Sequence, residues 1–192
     1  MIAGIVLAAG AGTRFGGGKQ LAELDGRPLL ESVLRTMADS RLERVVVVLG
    51  AGAEDVRARV DLHGAEPLVC DRWAEGQSAS LACGLGAVAD AEAVVVALGD
   101  QPRVRPEAIR RVVEARGGGA AVVRATYGGE PGHPLLLEHE LLDRLRDVTG
   151  DHGARNVLMS VGTREVPCDD LGGGEDVDTP AQLEALRAES RL

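Results

Sequence analysis

The chain has 192 residues, the length of one globular domain, and its 45% hydrophobic and 27% charged residues exclude a disordered or fibrous protein. Its 21 basic and 30 acidic residues give a net charge of −9, and only 2% are aromatic, so DNA or RNA is a poor candidate partner. We therefore expect a single domain over residues 1–192 that binds no nucleic acid.

Short runs rich in Val, Ile and Leu alternate with amphipathic segments, which is typical of an α/β fold with a mostly parallel sheet. The predicted strands cover residues 2–9, 45–49, 67–70, 93–98 and 120–125. The predicted helices cover residues 28–38, 54–62, 78–89, 106–116 and 180–188. After residue 128 the alternation weakens, and the pattern predicts a strand at 132–137, a helix at 138–146 and a loop entering a helix at 150–159.

The cysteines predict reduced thiols, because Cys70, Cys83 and Cys168 are odd in number and show no Cys-x-x-Cys spacing. The N-terminus lacks the basic region of a signal peptide, and no apolar run approaches the ~20 residues of a membrane helix. We therefore expect a cytoplasmic protein with no membrane partner.

A glycine-rich loop follows the first predicted strand, with glycine at five of residues 10–19. Such loops bring backbone amides close to an anion. The loop does not match the dinucleotide fingerprint, because Phe15 stands where a small residue is required. It does not match the Walker loop either, because Thr13 and Gln20 replace the required glycine and hydroxyl residue.

The same loop carries two cations, Arg14 and Lys19, and Lys19 is the only lysine in the chain. A lysine supplies a compact point charge, so its use here indicates a crowded site for an anion. The alternative is a surface loop with an incidental lysine.

Two acidic motifs are candidates for a metal site. Asp100 follows the predicted strand 93–98, at the edge where open α/β sheets bind ligands, and Mg²⁺ prefers carboxylate and phosphate oxygens. The alternative role for Asp100 is to open a turn before Pro102. Asp176 and Asp178 precede a capping box that begins at Thr179, and capping does not account for two neighbouring carboxylates.

Residues 7–19 resemble the signature of the molybdopterin nucleotidyltransferases and their relatives at every position. The resemblance implies a three-layer, Rossmann-like fold with a mostly parallel mixed sheet. It implies that the loop binds a nucleoside triphosphate, and that Arg14 and Lys19 stabilise the departing pyrophosphate. The pair Ala8 and Ala9 is more similar to the cytidylyltransferase branch than to the guanylyltransferase branch. The loop residues expected to bind nucleotide, besides the two cations, are Leu7, Ala8, Ala9, Gly10 and Gly12.

The resemblance also implies a metal shared between the two acidic motifs. Carried onto this chain, the ligands of Mg²⁺ are Asp100, which is also expected to be catalytic, and Asp178. Asp176 is expected to support the site without binding the ion.

Three further segments extend the resemblance over nearly the whole chain. Residues 71–80 are similar to a segment beside the nucleobase, which implies nucleotide contacts for Asp71, Ser78 and Ser80, although Ser78 alone is also explained as a helix cap. Residues 127–134 and 150–155 are similar to segments that border the acceptor pocket. They imply that His133 and Arg155 contact the phosphate of the acceptor, although a lone histidine is more often structural.

The hypothesis that follows is a Mg²⁺-dependent nucleotidyltransferase that joins the nucleotide of CTP to the phosphate of molybdopterin and releases pyrophosphate. An ionised phosphate needs no general base, which agrees with the absence of a Ser-His-Asp or Cys-His pattern. One alternative is an NAD(P)H-dependent oxidoreductase of the nicotine-blue type, which some relatives with this motif set resemble. Another is a non-catalytic maturation factor that delivers nucleotide or cofactor to a molybdoenzyme.

Overall fold

The computed structural model describes residues 1–148 and 153–190. Its strands are β1 (Ile2–Ala8), β2 (Glu23–Leu24), β3 (Arg27–Pro28), β4 (Arg44–Leu49), β5 (Glu66–Val69), β6 (Ala93–Leu98), β7 (Val122–Tyr127), β8 (Glu130–Glu138) and β9 (Thr163–Pro167). Its α-helices are α1 (Leu29–Ala38), α2 (Ala53–Arg59), α3 (Gln77–Ala87), α4 (Pro106–Glu114), α5 (His139–Arg146), α6 (Gly153–Met159) and α7 (Pro180–Glu189).

Within these residues one sheet has seven strands in the order β5-β4-β1-β6-β8-β7-β9. All neighbours are parallel except at β8, which runs antiparallel to both β6 and β7. The predicted mostly parallel mixed sheet is therefore confirmed. The carboxyl ends of β1 and β6 meet at one edge, because Leu7 pairs with Leu98.

Helices cover both faces of the sheet, which confirms the three-layer α/β architecture. On one face the sheet packs on α1, α2 and α4, and on the other it packs on α3, α5 and α6. Adjacent residues of β1 point to opposite faces, so that Val6 belongs to one core and Ile5 to the other. Burial on both faces explains why the central strands read as continuous apolar runs.

Each predicted strand and helix corresponds to an observed element. The strand predicted at 93–98 has the same bounds as β6, and the other elements have shifted ends. The helix predicted at 54–62 ends at Arg59, because Val60 adopts an extended backbone. The edge strand β9 and the short hairpin of β2 and β3 are additional elements that the hydrophobic pattern did not predict. None of the described helices is long and apolar enough to cross a membrane.

The cysteine prediction is wrong for two of the three residues. Cys70 follows β5 and Cys83 lies in α3, and the two form a disulfide with their Cα atoms 6.0 Å apart. The turn between strand and helix folds back and brings together two residues that lie 13 positions apart in the sequence. Cys168 is a buried free thiol, as expected.

Candidate active site

The glycine loop and Asp100 lie together because they follow neighbouring parallel strands, β1 and β6. The amide of Gly99 donates a hydrogen bond of 2.9 Å to the carbonyl oxygen of Leu7, which joins the two strand ends. This edge is where an open α/β sheet offers a ligand crevice.

The loop is a compact turn. Gly12 adopts a left-handed conformation with a φ of 62°, and its carbonyl oxygen accepts hydrogen bonds from the amides of Phe15 and Gly17. The buried side-chain amide of Gln20 donates to the carbonyl oxygens of Ala8 and Gly10, at 3.0 and 2.8 Å. Gln20 therefore ties the far end of the loop back to its start, which fixes the position of the preceding Lys19.

Lys19 bridges the two acidic motifs. Its Nζ atom lies 2.7 Å from Oδ2 of Asp100 and 3.0 Å from Oδ1 of Asp178, and its side chain is 15% exposed. Arg14, which is 77% exposed, lies 3.2 Å from the other oxygen of Asp178. The structure thus brings together the two cations and both of the predicted metal ligands, which come from three distant parts of the chain.

The acidic segment before α7 is held against β6 by its backbone. The amide of Val177, which is fully buried, donates to the carbonyl oxygen of Asp100 at 2.9 Å. The capping box at the start of α7 is present: the amide of Gln182 donates to Oγ1 of Thr179, and Oε1 of Gln182 accepts from the Thr179 amide at 2.9 Å. These bonds fix Asp178 between the helix and the sheet.

Asp176 lies behind this cluster and is supported by an amide. Gln101 Nε2 donates to Oδ1 of Asp176 at 2.7 Å. Burial, together with the charges of Asp100 and Asp178, raises the pKa of Asp176, and the bond from Gln101 offsets part of the rise.

The cluster has the electrostatic character of a cation site. Although burial disfavours the ammonium of Lys19, its hydrogen bonds and charge interactions with Asp100 and Asp178 outweigh this effect and raise its pKa. Oδ1 of Asp100 is buried and has no hydrogen-bond partner among the described residues. A buried carboxylate oxygen without a partner is costly, and a divalent cation would satisfy it. Among the described residues no group of three or more potential ligands lies together, so Asp100 and Asp178 fit a hard metal ion that takes its remaining ligands from phosphate and water.

A cavity of 310 Å³ opens beside the cluster. Its walls are formed by the end of β1, the glycine loop, the end of β6 and the segment from Trp73 to the start of α3. The predicted nucleotide residues among its lining are Leu7, Ala8, Ala9, Gly10, Gly12, Lys19 and Ser80. Asp100, predicted as a catalytic residue and metal ligand, also lines it. The walls also include Gln20, Trp73 and Gln77.

Trp73 packs against the strand ends because residue 50 is a glycine. A Cβ atom on Gly50 would lie 2.5 Å from the carbonyl oxygen of Ala9 and 2.5 Å from Cγ of Trp73. Only glycine permits this approach between the strand ends and the indole, which lines the cavity.

A second cavity of 850 Å³ adjoins the first, and Leu7 and Gln77 contribute to both. Its walls include both predicted acceptor residues, His133 and Arg155, and one residue that was not predicted, Arg124. Burial, together with the charge of Arg124, lowers the pKa of His133 to about 4, so its imidazole is neutral at pH 7. His133 can therefore exchange hydrogen bonds in this cavity but supplies no charge.

Three predicted nucleotide residues, Arg14, Asp71 and Ser78, do not line the first cavity. Asp71 is exposed in the turn after β5 and lines neither cavity. Ser78 lies in the wall of the second cavity, where its Oγ accepts a hydrogen bond of 3.2 Å from the amide of Ala154. Of the predicted acceptor segment, residues 150–152 lie outside the described residues.

Comparison with known proteins identifies the family. Residues 4–166 match the family model described as the MobA-like NTP transferase domain. The chain belongs to this family. The resemblance of residues 7–19 is thereby confirmed at the level of the family. The residues matched to the MobA-like domain include the glycine loop, Asp100 and the residues up to β9 that line the two cavities.

Relatives of this MobA-like chain carry different names. It is 34% identical over 196 residues to nicotine blue oxidoreductase of Paenarthrobacter nicotinovorans, with 96% of each chain covered. The solved structure of Rv0371c from Mycobacterium tuberculosis H37Rv matches with a TM-score of 0.85 and 30% identity over 97% of both chains, and a second structure of Rv0371c is a complex with manganese. Molybdopterin-guanine dinucleotide biosynthesis protein A from Archaeoglobus fulgidus shares the fold, with a TM-score of 0.78 and 22% identity over 99% of this chain and 100% of that chain.

Proposed function

We propose that this protein transfers CMP from CTP to the terminal phosphate of a molybdopterin acceptor and releases pyrophosphate. The observation that carries the proposal is the cluster in which Lys19 bridges Asp100 and Asp178 beside the cavity of the glycine loop. Membership of the MobA-like family supports an NTP as substrate. CTP is favoured because Ala8 and Ala9 are similar to the cytidylyl branch.

Asp100 and Asp178 would hold a magnesium ion. The unpartnered Oδ1 of Asp100 supports this assignment, as does the manganese complex of Rv0371c. Bound there, the ion would neutralise charge on the triphosphate.

The residues of the loop position and stabilise the phosphates. The backbone amides of Gly10 and Gly12 donate no hydrogen bond within the described residues and are available to the triphosphate, whereas the amides of Phe15, Gly16 and Gly17 bond inside the loop. Lys19 and Arg14 would stabilise the negative charge that develops on the departing pyrophosphate. The nucleophile is a phosphate that is already ionised at neutral pH, so positioning and charge neutralisation suffice without a general base.

The base and the acceptor would occupy different parts of the two cavities. Ser80 and Trp73 line the part of the first cavity available to the base, and Asp71 and Ser78 are proposed contacts at its margin. His133 and Arg155 border the second cavity, where the acceptor would bind. A molybdoenzyme is the proposed recipient of the product, in the cytoplasm.

An oxidoreductase of the nicotine-blue type is the second candidate, because a protein of that name is 34% identical over 96% of the chain. The glycine loop weighs against it, since Phe15 breaks the dinucleotide fingerprint.

Product analysis separates these candidates. The protein is incubated with molybdopterin, Mg²⁺ and CTP, GTP or ATP, and the products are identified by mass spectrometry. We expect pyrophosphate and a cytidine dinucleotide of the acceptor. Oxidation of NADPH by nicotine blue, with no dinucleotide formed, would instead support the oxidoreductase, and no product in either assay would support a maturation factor.

A further inference from the structure

Gln101 is a buried amide that the proposed chemistry does not use. It follows Asp100 in the turn after β6 and is 3% exposed. Its Nε2 atom donates two hydrogen bonds, to the carbonyl oxygen of Gly174 at 3.2 Å and to Oδ1 of Asp176 at 2.7 Å. Its Oε1 atom has no hydrogen-bond partner among the described residues. The reverse orientation of the amide would set that oxygen against two acceptors, so the side chain of Gln101 acts here as a donor alone.

The segment that receives these bonds packs closely on its surroundings. A Cβ atom on Gly173 would overlap the carbonyl oxygen of Arg103, in the turn that carries Gln101. A Cβ atom on Gly174 would lie 2.5 Å from Cδ2 of Tyr127. Two glycines therefore let the segment lie directly on the turn and on the tyrosine ring, and Gln101 bonds to it at this point of contact.

Gln101 links the two segments that carry the candidate metal ligands. Asp100 directly precedes it, and Asp178 lies two residues after its partner Asp176. A backbone bond of 2.9 Å, from the amide of Val177 to the carbonyl oxygen of Asp100, joins the same segments. That bond fixes the backbone and leaves the carboxylate of Asp176 free to turn. The amide of Gln101 fixes the carboxylate itself, and within the part of the chain that the structure describes no other hydrogen bond reaches this carboxylate.

Three carboxylates lie close enough here to repel one another. The charges of Asp100 and Asp178 both act on Asp176. Lys19 pairs with Asp100 and Asp178, whereas over the described residues Asp176 forms no ion pair within 4.0 Å. A neutral donor satisfies Asp176 without adding a charge. Gln101 thereby leaves the ammonium of Lys19 to the other two carboxylates.

We infer that Gln101 is a positioning residue of the metal site. By holding Asp176 and the carbonyl of Gly174, it aligns Asp178 with Asp100 so that the two carboxylates reach one divalent cation. The inference rests on the proposed function only for the assignment of a cation to Asp100 and Asp178. Loss of a hydrogen-bonding residue behind metal ligands typically lowers the affinity for the metal by about 10–100-fold.

Manganese binding tests this inference without any turnover. The probe is Mn²⁺ alone, which takes the same oxygen ligands as Mg²⁺, titrated into the full chain and followed by the electron paramagnetic resonance signal of the free ion. Gln101→Met keeps a side chain of similar length and removes both hydrogen bonds, so we expect the Kd for Mn²⁺ to rise about tenfold. Gln101→Asn keeps the amide but is one methylene shorter, and it should change the Kd in the same direction should Gln101→Met not fold.

Thr36→Val is the matched control. Thr36 is buried, and its Oγ1 donates a hydrogen bond of 3.0 Å to the carbonyl oxygen of Val104, three residues after Gln101. This variant also loses a buried hydrogen bond to this part of the chain, but it should bind Mn²⁺ as wild type does. In the transfer assay Gln101→Met should raise the Mg²⁺ concentration for half-maximal activity about tenfold and keep kcat at saturating Mg²⁺, whereas Thr36→Val should change neither.

The outcomes for the two proposals are separable. Unchanged or tighter binding of Mn²⁺ by the Gln101 variants, or equal weakening in Thr36→Val, overturns the role of Gln101 whether or not CMP is transferred. Weakening confined to the Gln101 variants, in a protein that forms no dinucleotide, supports the positioning role and overturns the proposed function alone. A wild type that binds no Mn²⁺ overturns the inference together with the cation site, and product analysis then decides the transfer separately.

Discussion

Replacing Lys19 by methionine tests the electrostatics of the cluster. The change keeps the unbranched side chain up to its Cε atom and removes the ammonium charge, together with hydrogen bonds of 2.7 Å to Asp100 and 3.0 Å to Asp178. Hydrogen bonds between charged groups stabilise a fold by about 1.5–3 kcal/mol each when buried. The two carboxylates are 22% and 28% exposed and keep part of their hydration, so we expect the free energy of unfolding to fall by about 2–3 kcal/mol in total.

A divalent cation should reverse part of this loss. Without Lys19, both carboxylates are available to Mg²⁺, and binding to the folded state alone stabilises it. Chemical denaturation with and without Mg²⁺ should therefore show a larger increase in stability for Lys19→Met than for wild type. Transfer activity should fall by at least about 100-fold, because a charge that stabilises the leaving pyrophosphate is missing.

Arg116→Met is the matched control. Arg116 makes two hydrogen bonds to Glu138, at 3.0 and 2.8 Å. Glu138 pairs with the first residue of β6, at the end of that strand opposite to Asp100. The side chains of Arg116 and Glu138 are 28% and 19% exposed. This variant should lose a comparable amount of stability, show no additional response to Mg²⁺ and keep wild-type activity. If Lys19→Met responds to Mg²⁺ no more than Arg116→Met does, the assignment of Asp100 and Asp178 to a cation is refuted.

Three further perturbations follow from the structure. Gly50→Ala should lower the free energy of unfolding by about 1–3 kcal/mol and weaken CTP binding, because the new Cβ would clash with Ala9 and Trp73. Gly86→Ala is the control: a Cβ at this position meets no atom within 4 Å, so this variant should not be destabilised. Chemical denaturation measures the stability of both variants, and calorimetry measures their binding of CTP. Reduction of the disulfide between Cys70 and Cys83 should lower the free energy of unfolding by about 3 kcal/mol, and a Cys83→Ser variant should show no response to reductant. In the unfolded state His133 has the ordinary histidine pKa near 6.5, whereas in the folded state its pKa is about 4. The neutral imidazole therefore contributes fully to the free energy of unfolding above pH 6.5, and this contribution is lost as the pH falls towards 4. Urea titrations should show wild type losing about 2 kcal/mol more than His133→Gln over this range.

The central fold could be predicted because its signals are local. The runs that form β1 and β6 are buried on both faces, so they are continuously apolar, and glycine or aspartate marks where each one ends. The parallel arrangement then places the glycine loop beside Asp100. The edge strand β9 escaped prediction because it is mostly exposed and contains charged residues, so hydrophobic burial leaves no pattern in its sequence.

The supporting residues of the site could not be predicted because their partners are remote in sequence. Gln101 contacts Asp176, and the disulfide joins a strand end to a helix, through chain reversals that composition does not encode. Arg124 left one sequence signal: it is a charged residue between the buried Val123 and Ala125 of a strand. A charged residue in such a run indicates a cavity or a partner, and the structure shows a cavity.

Nucleotide binding with and without magnesium tests most directly whether the loop and the two carboxylates form one site. Thermal unfolding is followed with CTP, GTP, ATP, UTP and NADPH, each with and without Mg²⁺, for wild type and for Asp100→Asn. A ligand at 100 times its Kd stabilises the fold by about 2.7 kcal/mol, which is readily detected. We expect a Mg²⁺-dependent rise in Tm with CTP that is lost in Asp100→Asn. A rise with NADPH alone, or one with CTP that requires neither Mg²⁺ nor Asp100, would contradict the account.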